Sequence, residues 1–243
     1  MFTLFKKEIR AFLSSLIGYI AISVFLLLVG LFLWILPTES NLLTNGYAGL
    51  DSLFGLAPWV FLFLIPAITM RSFADEKKAG TIEFLLTKPL TDIQIILAKY
   101  FAGVTLVLFS LLPTLIYYYS VYKLGSPVGN IDSGGTWGSY MGLFFLASAF
   151  TAIGIFASSL SDNQIIAFIL AVFLCFFFYI GFEYISALDL FGKVDDFIIS
   201  LGINDHYASM SRGVIDTRDV VYYLSLSGIF IFLTKTVLES RKW

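Results

Sequence analysis

The chain has 243 residues, of which 58% are hydrophobic and only 13% are charged, and its formal net charge is −2. Soluble globular domains carry about 25% charged residues, so this composition excludes an ordinary soluble domain and predicts an all-α polytopic membrane protein. The slightly acidic balance argues against a nucleic-acid partner, and the single cysteine, Cys175, excludes an intrachain disulfide.

The first 15 residues are predicted to form an amphipathic helix that lies at the membrane interface. An apolar stripe at helical spacing includes Phe5, whereas Lys6, Lys7 and Arg10 lie off that stripe and would contact anionic lipid headgroups. The uncharged run that follows, Leu16–Leu36, is too long for the apolar core of a cleaved signal peptide. We therefore expect it to remain as a membrane anchor and to be the first of six transmembrane helices.

The six apolar runs each have the length that a helix needs to cross a bilayer, which is about 20 residues. The predicted spans are Leu16–Leu36, Leu53–Met70, Lys99–Tyr122, Ser139–Leu160, Gln164–Tyr184 and Val220–Leu238. Thr91 and Gln94 form a capping-box pattern ahead of the third span. The connection between spans four and five is very short, so these spans would form a helical hairpin in which Asp162 or Asn163 caps the fifth span.

Basic residues predict the orientation of the spans, because cytoplasmic loops of membrane proteins carry an excess of Lys and Arg. If both termini are cytoplasmic, eleven of the 15 Lys and Arg residues lie on the cytoplasmic side and four lie on the other. The cytoplasmic set is Lys6, Lys7, Arg10, Arg71, Lys77, Lys78, Lys88, Lys99, Lys235, Arg241 and Lys242, and the other set is Lys123, Lys193, Arg212 and Arg218. We therefore predict that both termini and the connection of residues 71–98 face the cytoplasm.

The longest charged interruption between two apolar runs is Arg71–Leu90, and its centre is predicted to be a short helix. Gly80 would end the preceding segment, Thr81 would act as the N-cap of the short helix, and Pro89 would end it. Its apolar face would consist of Ile82, Leu85 and Leu86. Two interpretations remain open, namely a surface turn that packs on its own protein and a docking helix for a cytoplasmic partner.

Two further segments have patterns that predict how the chain packs. Residues 186–219 contain the apolar stretch Phe197–Ile203, which is too short to span a bilayer and should lie at the interface or dip back into the protein. Span four carries small residues four positions apart, a pattern that lets helices approach closely, either within the chain or at a subunit interface. The pairs are Gly138 with Gly142, Ser148 with Ala152, and Gly154 with Ser158.

The residues give no sign of catalysis. The sequence has no G-x-x-x-x-G-K-[ST] pattern, so the chain is not expected to bind ATP. The only histidine, His206, has no histidine partner and is expected to be a lone polar group on the outer surface. Ionisable residues are nearly absent from the span interiors, which argues against an ion-driven carrier or channel. We therefore predict a non-catalytic subunit that carries no cofactor of its own.

The order of these features resembles the ABC-2 type transporter permeases. The resemblance is carried by the amphipathic start, the six spans and the cytoplasmic sequence D-E-K-K-A-G-T-I-E-F-L-L-T-K-P-L of Asp75–Leu90. Within that family, the chain is closer to the permeases associated with gliding motility in the Bacteroidetes. The stretches that carry this closer similarity are Leu56–Val60, Leu64–Phe73, Ser126–Asp132 and Ser211–Tyr222.

The resemblance implies an ABC-2 permease fold in which the short cytoplasmic helix is a coupling helix. That helix would insert into a cleft of a separate cytoplasmic ATPase dimer, which would bind ATP and Mg. The implied ATPase contacts are Gly80, Thr81, Ile82, Glu83, Phe84, Leu85, Leu86, Lys88 and Asp162. Phe5, Lys6, Lys7 and Arg10 would lie beside them in the interfacial helix, and residues 186–219 would form a re-entrant segment on the outer side.

The resemblance also implies a location and an assembly. The chain would reside in the bacterial inner membrane as one half of a dimer. The other half would be a second membrane subunit with a large periplasmic region, or a second copy of this chain. The implied function is to couple ATP hydrolysis by the ATPase to export across that membrane. The alternative is that the same ATPase drives force transmission across the envelope, or that the chain anchors an assembly, without solute transport.

Overall fold

The computed structural model describes residues 1–44, 46–82, 90–188, 192 and 195–240. Within these ranges the regular elements are helices, and six helical stretches are long and apolar enough to cross a membrane. These stretches are Gly18–Ile35, Asp51–Lys78, Asp92–Leu124, Ser133–Leu160, Gln164–Ser186 and Thr217–Glu239. The all-α class and the six predicted spans are therefore confirmed.

We number the α-helices in chain order. They are α1 (Phe2–Leu13), α2 (Leu16–Gly30), α3 (Asp51–Thr69), α4 (Arg71–Lys78), α5 (Asp92–Leu111), α6 (Leu115–Leu124), α7 (Ser133–Leu160), α8 (Gln164–Phe176), α9 (Phe182–Ser186), α10 (Asp195–Ile199), α11 (Ile203–Met210) and α12 (Thr217–Glu239). A π-helical turn extends α2, and a second one joins α8 to α9. Pro113 lies in a 3₁₀ turn that joins α5 to α6, because proline cannot donate the backbone hydrogen bond of a continuous α-helix.

The helices of spans two and three extend beyond their apolar runs. The predicted second span ends at Met70, but the chain continues directly into the charged helix α4. Helix α5 already begins at Asp92, because the predicted capping box forms there. The Gln94 amide donates to Thr91 Oγ1 at 3.4 Å, and the Thr91 amide donates to Gln94 Oε1 at 3.2 Å. The apolar runs thus predict which residues lie in the membrane, whereas the capping residues predict where the helices begin and end.

Helix α7 lies at the centre of the bundle and packs on α3, α5, α8 and α12. Of its most apolar stretch 78% is buried, compared with 22% for that of the first span. Three of its glycines touch neighbouring segments so closely that an added Cβ atom would clash. The contacts pair Gly138 with Gly213, Gly142 with Met210, and Gly154 with Thr69. At these positions the small residues therefore serve packing within the chain rather than a subunit interface.

The two ends of the bundle differ in character. The first, which we call the charged end, comprises α1, α4, the first two turns of α5 and the turn between α7 and α8. The opposite end includes α10 and α11, where Phe197 is exposed but Ile203 is buried. Helix α11 is fixed to α3 because the hydroxyl of Tyr207 donates to the backbone oxygen of Phe54 at 2.7 Å. Burial raises the pKa of Tyr207 well above its ordinary value, so this hydroxyl keeps its proton.

Gly138→Ala should destabilise the protein, because the new Cβ atom would lie 2.5 Å from the backbone oxygen of Gly213, where no side chain can move aside. Overpacking of this kind costs about 1–3 kcal/mol, which should lower the melting temperature in detergent. The matched control is Gly228→Ala on α12, where nothing lies within 4 Å of the added atom. The control should melt at or slightly above the wild-type temperature. Equal melting temperatures for the two variants would contradict the close contact.

Candidate functional site

The charged end is organised around the break between α3 and α4. The first amides of a helix have no partner within that helix, and the amides of Phe73 and Ala74 near the start of α4 are buried. Ser158 on α7 satisfies both, because its Oγ accepts from Phe73 at 3.0 Å and from Ala74 at 3.1 Å. The same hydroxyl donates to the backbone oxygen of Met70 at 2.8 Å. A side chain of the central helix therefore caps α4 and fixes it to α7.

The outer face of α4 is attached to the turn between α7 and α8. Gln164, the first residue of α8, accepts from Arg71 Nε at 3.3 Å and donates to Asp75. Lys77 donates to the backbone oxygen of Ser159, at the end of α7. Helix α4 thus contacts spans four and five through charged and amide side chains, in addition to being continuous with span two.

The other end of α4 has a geometry that fixes the direction in which the chain leaves. Gly80 has a φ of +67°, a left-handed conformation that favours glycine. The amide of Gly80 donates to the Lys77 oxygen at 3.1 Å, and the amide of Thr81 donates to the Glu76 oxygen at 2.9 Å. This pair of bonds is a Schellman motif, which satisfies the last carbonyl groups of a helix. The predicted helix break at Gly80 is confirmed.

The predicted ATPase contacts fall in three different settings. Gly80, Thr81 and Asp162 are exposed at the charged end. Ile82 is buried against its own chain, with 8% of its surface exposed. Glu83, Phe84, Leu85, Leu86 and Lys88 lie outside the described residues. Asn163, rather than Asp162, caps α8, since Asn163 Oδ1 accepts from the Ile165 amide at 2.9 Å.

The interfacial helix α1 is also attached to the charged end. Leu4 and Phe12 are buried, Phe5 is half-buried, and Lys6 and Arg10 are exposed. Lys7 is also exposed, and its Nζ lies 3.2 Å from Glu76 Oε1 on α4. Partial burial lowers the pKa of Lys7, but the attraction of Glu8 and Glu76 outweighs burial and raises it above its ordinary value. The amine therefore remains charged at neutral pH.

Sequence reasoning missed a buried cation beside this pair. The ammonium of Lys99 on α5 lies 3.1 Å from Glu8 on α1 and 3.0 Å from Glu76 on α4. The sequence places Lys99 at the edge of a span, where a lysine would ordinarily reach water. Glu8 lies 91 residues away in the chain, so local spacing could not identify the partner. The sequence offered one signal, namely that the residues three and four positions from Lys99 on its helix, Ile95, Ile96, Ala102 and Gly103, carry no charge.

The prediction that His206 is a lone surface group is wrong. Its Nδ1 lies 2.7 Å from Asp219 Oδ1, its Nε2 lies 2.9 Å from the Ser200 oxygen, and its ring stacks on Tyr222. Ser209 donates to the other oxygen of Asp219 at 2.6 Å. Both ring nitrogens are occupied and the serine faces the carboxylate rather than the imidazole, so the group lacks the nucleophile–base contact of a hydrolase. The cluster instead joins α11 to α12.

A family model described as "ABC-2 family transporter protein" matches residues 35–201, more than half of the chain. The matched region contains α4, the Gly80 motif, the central helix α7 and the turn between α7 and α8. It leaves out α1, α2, α11 and α12. Among curated proteins, none matches the chain.

Ser158→Ala should loosen α4, because it removes the acceptor of two buried backbone amides. Leaving such a group unsatisfied costs about 1–3 kcal/mol, so we expect faster hydrogen exchange at Phe73 and Ala74, measured by mass spectrometry in detergent. Ser159→Ala is the matched control, since the Ser159 hydroxyl donates only to Phe156 of its own helix among the contacts described. Unchanged exchange in Ser158→Ala would show that α4 is held in some other way.

Proposed function

Because the chain belongs to the ABC-2 family of transporter proteins, we propose that it is a permease subunit that couples ATP hydrolysis by a separate cytoplasmic ATPase to export across the bacterial inner membrane. The sequence itself has no Walker loop. The energy for any conformational change would therefore arrive through contact with a protein that binds ATP and Mg.

One observation carries the proposal beyond family membership, namely the way α4 is attached. The predicted contact segment, residues 80–88, follows α4 directly. Ser158 caps α4 from span four, Gln164 attaches it to span five, and span two runs into it. A displacement of this segment would thus act on three spans at once, as a rigid element between packed helices does. The family match alone does not show that this segment is connected to spans two, four and five through α4.

The proposed contact surface follows from this attachment. It combines Gly80, Thr81 and Asp162, which are exposed, with the segment of Glu83, Phe84, Leu85, Leu86 and Lys88. Ile82, which is buried against its own chain, would hold this segment on the bundle. Apolar side chains of that segment would supply anchors in a cleft of the ATPase, and Glu83 and Lys88 would orient it. The excess of basic residues at the charged end supports its placement in the cytoplasm, together with both termini.

The finer identity and the assembly are also proposals. The sequence stretches similar to gliding-motility permeases support a subunit of the GldF type. The chain would be one half of a dimer in the membrane. Only 22% of the apolar stretch of span one and 28% of those of spans five and six are buried within the chain, so these faces are open to lipid or to the second half. The second half would be another membrane subunit with a large periplasmic region, or a second copy. Residues 186–219 would form the outer re-entrant segment.

Leu85→Asp and Glu83→Ala should each reduce copurification of the cytoplasmic ATPase while leaving membrane insertion intact. The first places a charge in the apolar anchor, and the second removes an orienting carboxylate. The matched control is Leu43→Asp, which places the same charge on an exposed leucine at the opposite end of the bundle. Wild-type levels of ATPase with both variants, measured by quantitative mass spectrometry of the detergent-purified protein, would remove the coupling assignment.

Export and force transmission predict different results in reconstituted vesicles that contain the purified complex. Export predicts that Mg·ATP moves a defined solute across the vesicle membrane, and that Leu85→Asp abolishes the movement. Force transmission predicts full ATP turnover that depends on Leu85, altered contacts with the periplasmic partner, and no solute moved. Solute uptake that proceeds without any ATPase would contradict both.

A further inference from the structure

The ammonium group of Lys99 is a buried charge for which the proposed function has so far no role. Only 1% of its side chain is exposed, and its Nζ lies 5.1 Å from the centre of the Phe73 ring. Three oxygens surround it, namely Glu8 Oε1 at 3.1 Å, Glu76 Oε2 at 3.0 Å and the backbone oxygen of Ser72 at 2.6 Å. The ammonium donates hydrogen bonds to Glu8 and to the Ser72 oxygen, and its contact with Glu76 is ionic.

Lys99 belongs to a cluster of four charged residues, Lys7, Glu8, Glu76 and Lys99, whose charges sum to zero. Lys7 Nζ lies 3.6 Å from Glu8 and 3.2 Å from Glu76, which gives two lysines and two glutamates in mutual contact. Glu76 Oε2 faces Lys99 without hydrogen-bond alignment, so that contact is ionic. Breaking a buried ion pair by removing one partner is costly, because the remaining charge stays in an apolar setting. Any movement that separated Glu8 from Glu76 would therefore meet a steep electrostatic resistance.

The position of the cluster determines what this resistance acts on. Helix α1 packs its apolar side chains on α5, whereas α1 and α4 face each other across a cavity of about 210 Å³ lined by Glu8, Arg71, Ser72 and Asp75 among others. The charges bridge this cavity. The apolar packing of α1 thus contributes to its contact with α5, while its connection to α4 depends on Lys7, Lys99 and the two glutamates.

We propose that Lys99 is a positioning residue that makes the interfacial helix α1 follow α4 when the ATPase moves the contact segment. This proposal rests on the proposed function and extends it, since it adds α1, and through Ser15 the start of span one, to the elements that the ATPase drives. The cavity leaves space for α4 to tilt, and the ion pairs between Glu8, Glu76, Lys7 and Lys99 make α1 tilt with it. Lys99 acts through Glu8 and Glu76 and contacts neither nucleotide nor substrate.

The test measures whether α1 moves with nucleotide. Spin labels on Ser14→Cys, just after α1, and Ser240→Cys, just after α12, report the distance between the two helices, and native Cys175 is buried and should not react. The complex with its copurifying ATPase is compared without nucleotide and after trapping with Mg·ATP and vanadate. We expect a shift of the distance distribution in the wild type, its loss in Lys99→Met with the ATPase still bound, and its recovery in Lys99→Arg, which keeps the charge.

The control variant is Lys235→Met, which breaks an exposed pair with Glu239 at the end of α12 and should keep the wild-type shift. A wild-type shift in Lys99→Met, or no shift in the wild type, would overturn the inference while leaving the ATPase assignment intact. Failure of the wild-type chain to bind any ATPase would overturn the proposed function itself. If Lys99→Met does not insert, Glu8→Gln is judged by the same criteria, because it removes the α1 carboxylate that pairs with Lys99 and this carboxylate is partly exposed.

Discussion

The charged end depends on the hydroxyl of Ser158, which forms hydrogen bonds with the backbone groups at the junction between span two and α4. In an apolar environment an amide without a hydrogen-bond partner costs roughly 2–7 kcal/mol. A junction between two helices there therefore needs a partner for each backbone group that loses its bond within a helix. Ser158 serves two amides and one carbonyl. This arrangement places a charged helix against the core of the bundle while Phe73 and Ala74 of its first turn stay buried.

Small residues and paired charges have complementary roles in this chain. Glycines on α7 allow α3 and the segment around Gly213 to approach the central helix closely, which fixes the apolar part of the bundle by shape. At the two ends of the bundle, clusters of polar and charged side chains hold the helices together. Lys99 joins α1, α4 and α5 at the charged end, and Asp219 joins α11 to α12 through His206 and Ser209 at the opposite end. The Lys99 cluster connects residues up to 91 positions apart, whereas the Asp219 cluster joins two consecutive helices whose contacts lie 10 to 13 positions apart.

The sequence predicted features that depend on local spacing. Six apolar runs, the capping box at Thr91 and the break at Gly80 are all encoded within a few residues. The sequence did not reveal that Lys99 is buried or that His206 is paired, because their partners become neighbours only after the helices pack. The predicted end of the second span, Met70, agrees within one residue with the end of α3 at Thr69, but the sequence did not predict that the charged residues after it form the separate helix α4. The family match agrees with the resemblance at the level of the ABC-2 permeases.

The Schellman motif at Gly80 sets the direction in which the backbone leaves α4 independently of the side chains that follow. The exit direction from α4 is set by backbone hydrogen bonds to Lys77 and Glu76, so it does not depend on which side chains follow. If residues 83–88 contact the ATPase as proposed, their sequence could change with that partner while α4 and its hydrogen bonds stay the same. Under the proposed function, exchanging residues 83–88 between related chains would therefore alter partner choice, whereas Ile82, which is buried in the bundle, would have to be kept.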